Sequence, residues 1–246
     1  MKTHKKAIAA IICAVAVSTA HALPTVDVKF DQNIFAGSGF DNVTIQLAGS
    51  TATGVSAGRF QGTASNVVGV PESIFVDGLN DLFMYCYDIF QEISGGVSAS
   101  YSVKLGGALA RTLDFLGAVN TVMSAKDTYD SYAWLHPVSG YQGAAIQLGI
   151  WESAYETEAA WDLGSGLFTA AGLEYQTRQW WNSFTGVIAS SDSLGGDYVM
   201  VLENTSVQDM ITGDPPTVPE PGSLALLGLG LGGLFWARRR RVTTTI

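Results

Sequence analysis

The chemistry this sequence offers is concentrated in one cysteine and one glutamine. Cys86 lies in Tyr85-Cys86-Tyr87-Asp88, a stretch with the aromatic content of a strand. Gln147 lies in Ala144-Ala145-Ile146-Gln147-Leu148-Gly149-Ile150-Trp151-Glu152, a stretch with helical character. On a helix, Ala144 and Trp151 share the face of Gln147. The amide therefore sits on an apolar stripe, where burial costs roughly 1–3 kcal/mol unless it finds partners. The apolar, aromatic strand around Cys86 predicts burial for the thiol as well. Attack of the thiolate on the carboxamide, with loss of ammonia, would give an internal thioester and leave neither polar group stranded. A third stretch, Phe90-Gln91-Glu92-Ile93, comes just after the strand that carries the cysteine. Two other readings of the same residues stand beside this one. Buried free cysteines are common, so Cys86 as a small hydrophobe and Gln147 as a satisfied core amide would make a non-reactive structural protein. Cys86 with His136 would make a nucleophile and base, although Leu135-His136-Pro137 reads as a surface turn.

The elements that must position these groups run strands first, helices in the middle, strands last. Thr25–Phe30, Asn42–Leu47, Gly54–Gly62, Leu82–Ile89 and Val97–Lys104 are rich in β-branched and aromatic residues and are separated by Gly, Asn and Ser. Leu109–Ala125 has a helical recurrence at Leu113, Leu116, Val119 and Val122. Gly143–Tyr155 and Ala170–Phe184 read as further helices, and Asp197–Glu203 as a last strand before a linker. The expected class is α+β: a β-sandwich or barrel-like lobe with a helical insert or lobe. An N-terminal signal helix and a short C-terminal transmembrane helix complete the expectation. Trp180-Trp181 reads as a lobe interface, and Asn42-Val43-Thr44 and Asn204-Thr205-Ser206 match the glycosylation pattern.

Both ends carry addresses. Lys2, Lys5 and Lys6 precede an apolar run from Ala7 to Val17, and Ala20-His21-Ala22 closes it. That order describes a secretory signal over residues 1–22, removed by signal peptidase. A domain over 23–212 follows; the stretch from Leu23 to Glu220 holds all 22 acidic residues of the chain and six of its 13 basic ones, a formal charge of −16. Nucleic acid is a poor partner for such a surface. No metal-ligand spacing appears, so no metal or cofactor is assigned. His136 is the one histidine left after the signal and Cys86 the one cysteine, which excludes an internal disulfide. From 213 to 246 come a proline-rich linker, Val218-Pro219-Glu220-Pro221, an apolar Leu/Gly run to Ala237, and Arg238, Arg239, Arg240 and Arg241. Arginines after an apolar run stay cytoplasmic, so everything before them faces outward. This tail resembles a PEP-CTERM sorting signal. The resemblance implies an exosortase as partner, transient anchoring in the inner membrane, and delivery to the cell surface or extracellular matrix of a Gram-negative bacterium.

The middle of the chain resembles the thioester domains of bacterial surface adhesins. Tyr85-Cys86-Tyr87 matches their aromatic-Cys-aromatic stretch, and Phe90-Gln91-Glu92-Ile93 matches the second motif in part, with Ser94 in place of an apolar residue. Ile146-Gln147-Leu148-Gly149-Ile150-Trp151 matches the acyl-donor stretch, with Ile for Thr and Gly for Ala. The resemblance implies that Cys86 supplies sulfur and Gln147 the acyl carbon of a stored electrophile. It also implies single-turnover coupling to an amine, usually a lysine, on a partner surface or matrix component, for adhesion or biofilm-matrix cross-linking. Tyr85, Tyr87, Trp151 and Trp134 would shield the bond from water, and Asp88 or Gln91 would orient the carbonyl. Such a protein is a covalent binder and not an enzyme with turnover.

Overall fold

The computed structural model describes residues 23–70, 81–125 and 128–213. The signal segment, Pro219, Glu220, Pro221, the apolar run and Arg238 to Arg241 lie outside the described residues. Among the described residues, no helix is long and apolar enough to cross a membrane.

The β lobe is a closed antiparallel barrel, the second of the two expected forms. Its strands are β1 (Thr25–Phe30), β4 (Phe60–Val68), β5 (Asp81–Cys86), β6 (Ser98–Leu105), β8 (Met200–Glu203) and β9 (Met210–Thr212), in the spatial order β1-β4-β5-β9-β8-β6. Closure removes the unpaired edges that an open sheet would leave. Side chains alternate across each strand. Val26, Val28 and Phe30 of β1 point inward, as do Leu82 and Met84 of β5 and Tyr101 and Val103 of β6, all buried.

A second sheet, of order β3-β2-β7, is built from β2 (Phe40–Leu47), β3 (Thr53–Gly58) and β7 (Phe168–Ala171). The expected single strand Gly54–Gly62 is in fact the end of β3 and the start of β4, broken at Arg59. Two local facts explain the break. A Cβ at Gly58 would lie 2.8 Å from the Gly39 carbonyl oxygen, so the backbones meet there as only glycine allows. Arg59 then packs on the outer face of the barrel, its guanidinium 3.8 Å from the centre of the Phe83 ring and donating to the Ala36 carbonyl at 3.0 Å.

Three helices pack beside the barrel: α1 (Ala110–Met123), α2 (Gly140–Tyr155) and α3 (Tyr175–Thr185). The third starts later than the expected Ala170, because Ala170 and Ala171 are taken by β7, which pairs with Ile45 and Thr44 of β2. Asp41 of β2 holds the start of α3. Its buried Oδ2 accepts from the Glu174 N–H at 3.0 Å and from the Thr177 hydroxyl at 2.6 Å. Trp181 lies in the helical interface against Phe115 of α1, as the sequence pattern indicates, and Trp180 stacks on Phe184.

Candidate functional site

The break at Arg59 creates the setting of the site. β4 begins at Phe60, which pairs with Met84, so β5 runs two residues past the end of its neighbour. On its other side Cys86 pairs with Met210 of β9. The main chain of Cys86 thus has no strand partner on the β4 side. The side chain of Gln147 fills that place. Its Oε1 accepts from the Cys86 N–H at 2.9 Å, and its Nε2 donates to the Cys86 carbonyl at 2.8 Å. One carboxamide replaces a missing strand residue, and both residues are sealed: Cys86 is 2% exposed and Gln147 0%.

Several features of α2 aim Gln147 there. Ser139 caps the helix, its hydroxyl accepting from the Gln142 N–H at 3.2 Å. Gly149 lets α1 approach, since a methyl at that position would overlap the Phe115 ring. The Trp151 indole N–H donates to the Asp88 carbonyl at 3.2 Å, tying α2 to the chain just beyond Cys86. The glycine that departs from the adhesin motif therefore has a packing reason in this chain.

By strand alternation and register, Cys86 shares the inward face of the barrel with Met84 and Met210. Tyr85 leaves β5 on the opposite face, where its hydroxyl donates to the Trp134 carbonyl at 3.0 Å and its ring stacks on Trp134 at 5.8 Å. The Tyr87 hydroxyl accepts from the Leu109 N–H at 3.0 Å, at the start of α1. These aromatics brace the strand against the helices. His136 packs edge-on against Phe83, also on the face away from Cys86. Trp151 and Gln91 do join Cys86: all three line a cleft of about 550 Å³ between the barrel end and the second sheet, with Phe35, Phe60 and Gln208 among its other walls. Gln91 has a buried Oε1 with no partner among the described residues.

Three contributors escape sequence reasoning. Gln208 is buried, and its Nε2 donates to the Asp88 carbonyl at 2.8 Å. Tyr101 donates to the Gln208 carbonyl at 3.1 Å from inside the barrel. Asp209 accepts from the Tyr87 N–H through its main-chain oxygen. All belong to β6 or the approach to β9. The one available signal was a lone polar pair, Gln208-Asp209, set before Met210-Ile211.

The electrostatics are set by burial and by neighbouring carboxylates. Burial, with the Asp88 charge added, pushes the Cys86 thiol well above its ordinary range. The thiol is therefore protonated at neutral pH, unlike the thiolate of a primed hydrolase. Burial and the neighbouring Asp209 push the Asp88 carboxyl up to about 6. Among the described residues, no three His, Cys, Asp or Glu side chains gather within metal-binding reach.

Outside the described residues, the tail has its own identity. Residues 217–241 match the PEP-CTERM protein-sorting motif. No curated protein and no solved structure matches the chain. The motif implies an exported protein processed by an exosortase, and it covers the tail alone.

Proposed function

We propose that Cys86 and Gln147 join as an internal thioester that couples once to an amine on a partner. The observation that carries this reading is the seating of the Gln147 carboxamide on the Cys86 main chain, at 2.9 and 2.8 Å, with both residues buried at the side of a cleft. The carboxamide is held on the main chain of the residue that carries the thiol, and such prior positioning favours an internal reaction over a bimolecular one. Sulfur attacks the carboxamide carbon, the C–N bond breaks, and the thiol proton leaves with nitrogen as ammonia. The cleft beside Cys86 gives an incoming amine its route. Attack by that amine forms an amide at position 147 and returns the free thiol, so no turnover follows.

The tail sets where this takes place. After signal peptidase cleavage, the chain is held transiently at the inner membrane, and the exosortase then releases it to the surface or extracellular matrix of a Gram-negative cell. The coupling serves adhesion or cross-linking of a biofilm matrix. A second reading is favoured by the same two hydrogen bonds, because they already satisfy the Gln147 amide without chemistry. Under it the protein is a non-reactive structural component sorted by the same route. Intact mass separates the two. The thioester protein lacks one ammonia, and methylamine restores mass as an adduct mapping to Gln147. An unshifted mass and an alkylatable Cys86 leave only the structural reading.

A further inference from the structure

Loss of ammonia needs a group that moves a proton from sulfur to nitrogen, because a buried neutral thiol is a poor nucleophile and an amide anion a poor leaving group. Resting on the thioester reading, we propose that Asp88 is this group, giving its proton to the departing Gln147 nitrogen while it takes the proton of the Cys86 thiol. The net change is one S–C bond and one N–H bond formed, and one C–N bond and one S–H bond broken. Asp88 is restored at the end of the cycle, and no oxidant or further reactant enters.

Asp88 stands two residues beyond Cys86, and its main chain is tied to the helix that carries Gln147 and to the approach of the strand that pairs with Cys86. Its main-chain carbonyl accepts from Trp151 at 3.2 Å, one turn of α2 past Gln147. It also accepts from Gln208 at 2.8 Å, two residues before the Met210 that pairs with Cys86. With its main chain held from two sides, the carboxyl keeps a buried Oδ1 with no partner among the described residues. A buried carboxyl oxygen left unbonded is costly, and the fold gains nothing visible from it. The titratable groups that feel Asp88 are Cys86, Tyr101 and Tyr155, and Asp209 acts on Asp88 in turn. Every one is an acid. Lys104 reaches only as far as Asp209 and the exposed Glu203. The Asp209 main-chain N–H favours the charged carboxylate, but burial and the Asp209 charge outweigh it, and with no cation beside it among the described residues the carboxyl retains a proton to give up to about pH 6.

The test follows bond formation itself. Full chain isolated unfolded in denaturant is diluted into native buffer, and ammonia loss is timed by intact mass across pH 5 to 8, with tryptophan emission reporting folding in the same samples. The wild-type rate is expected to be greatest at low pH and to fall as pH rises through about 6. Asp88→Asn should slow formation by about a hundredfold or more and remove that fall, and Asp88→Glu should restore part of it. Asp209→Asn keeps the acceptor for Asn204 but removes the repelling charge, so the fall should move to lower pH even if Asp88→Asn folds poorly. Wild-type chain that loses ammonia, with Asp88→Asn matching its rate and profile or Asp209→Asn leaving the profile in place, overturns the role of Asp88 alone. Wild-type chain that folds at full mass overturns the thioester and this role with it.

Discussion

Replacing Cys86 with alanine tests the covalent union through stability, independently of mass. Positions 86 and 147 lie 61 residues apart in sequence. A covalent link closing a loop of that size restrains the unfolded chain by about 4 kcal/mol, between the values for 15-residue and 100-residue loops. At about 2–4 °C per kcal/mol for a domain of this size, loss of the link should lower Tm by about 8–16 °C. Without the link, Cys86→Ala only removes one sulfur from a sealed site, at about 1 kcal/mol. The main-chain bonds to Gln147 survive that substitution, since they use the N–H and carbonyl of residue 86. Gln147→Ala differs. It orphans both of those buried groups at about 1–3 kcal/mol each and opens a cavity, whether or not a bond existed. Differential scanning calorimetry of the three proteins at one pH gives the answer. Two variants that fall together by 8 °C or more support the link, where about 4 kcal/mol is lost in each. A Cys86→Ala protein within about 4 °C of wild type, beside a Gln147→Ala protein far below it, refutes the covalent reasoning and leaves the hydrogen-bonded clasp.

Other positions make independent predictions. Glu152 is fully buried on α2, accepts from the Asp162 N–H at 3.1 Å, and has an Oε2 with no partner among the described residues. Burial lifts its carboxyl from 4.5 to about 7 despite Arg111. The folded state therefore binds the proton more tightly than the unfolded one, so this group's contribution is full below about 4.5 and is lost as pH rises through about 7. Urea midpoints should show that decline in wild type and a flatter profile in Glu152→Gln. Asp41→Ala orphans the Glu174 N–H and the buried Thr177 hydroxyl and should cost about 1–3 kcal/mol in urea unfolding, with Asp41→Asn losing less because one acceptor oxygen remains. Gly149→Ala should lower Tm although alanine is the better helix former by about 1 kcal/mol, because its methyl overlaps Phe115; Phe115→Leu in the same chain should recover part of the loss.

Where a single periodicity governs a segment, the sequence showed it. Thr25–Phe30 alternates buried and less buried residues along β1, and Leu113, Leu116 and Val119 recur at helical spacing on α1. Legibility stops where a neighbour decides the outcome. Residues 168–171 become β7 because Thr44 to Leu47 of β2 offers an edge, a fact that residues 168–171 do not contain. Met210–Thr212 is too short for any pattern, yet it closes the barrel between β5 and β8.

The site divides in the same way. That Gln147 must be buried and must find partners followed from its helical stripe, because a carboxamide among Ala144, Ile150 and Trp151 has no solvent to bond. Which atoms it would find did not follow, since that depends on where β4 stops. β4 stops where it does because Gly58 meets the Gly39 carbonyl and Arg59 packs over Phe83, nearly thirty positions from Cys86 in sequence. Tyr85 and Tyr87 show the converse. They flank the cysteine in sequence, but the two-residue alternation of a strand sends them to the helical side, while Gln208 reaches Asp88 from far along the chain. Adjacency in sequence therefore marked the strand that carries the thiol. The neighbours of the thiol on the inward face, Met84 and Met210, are set by the barrel register.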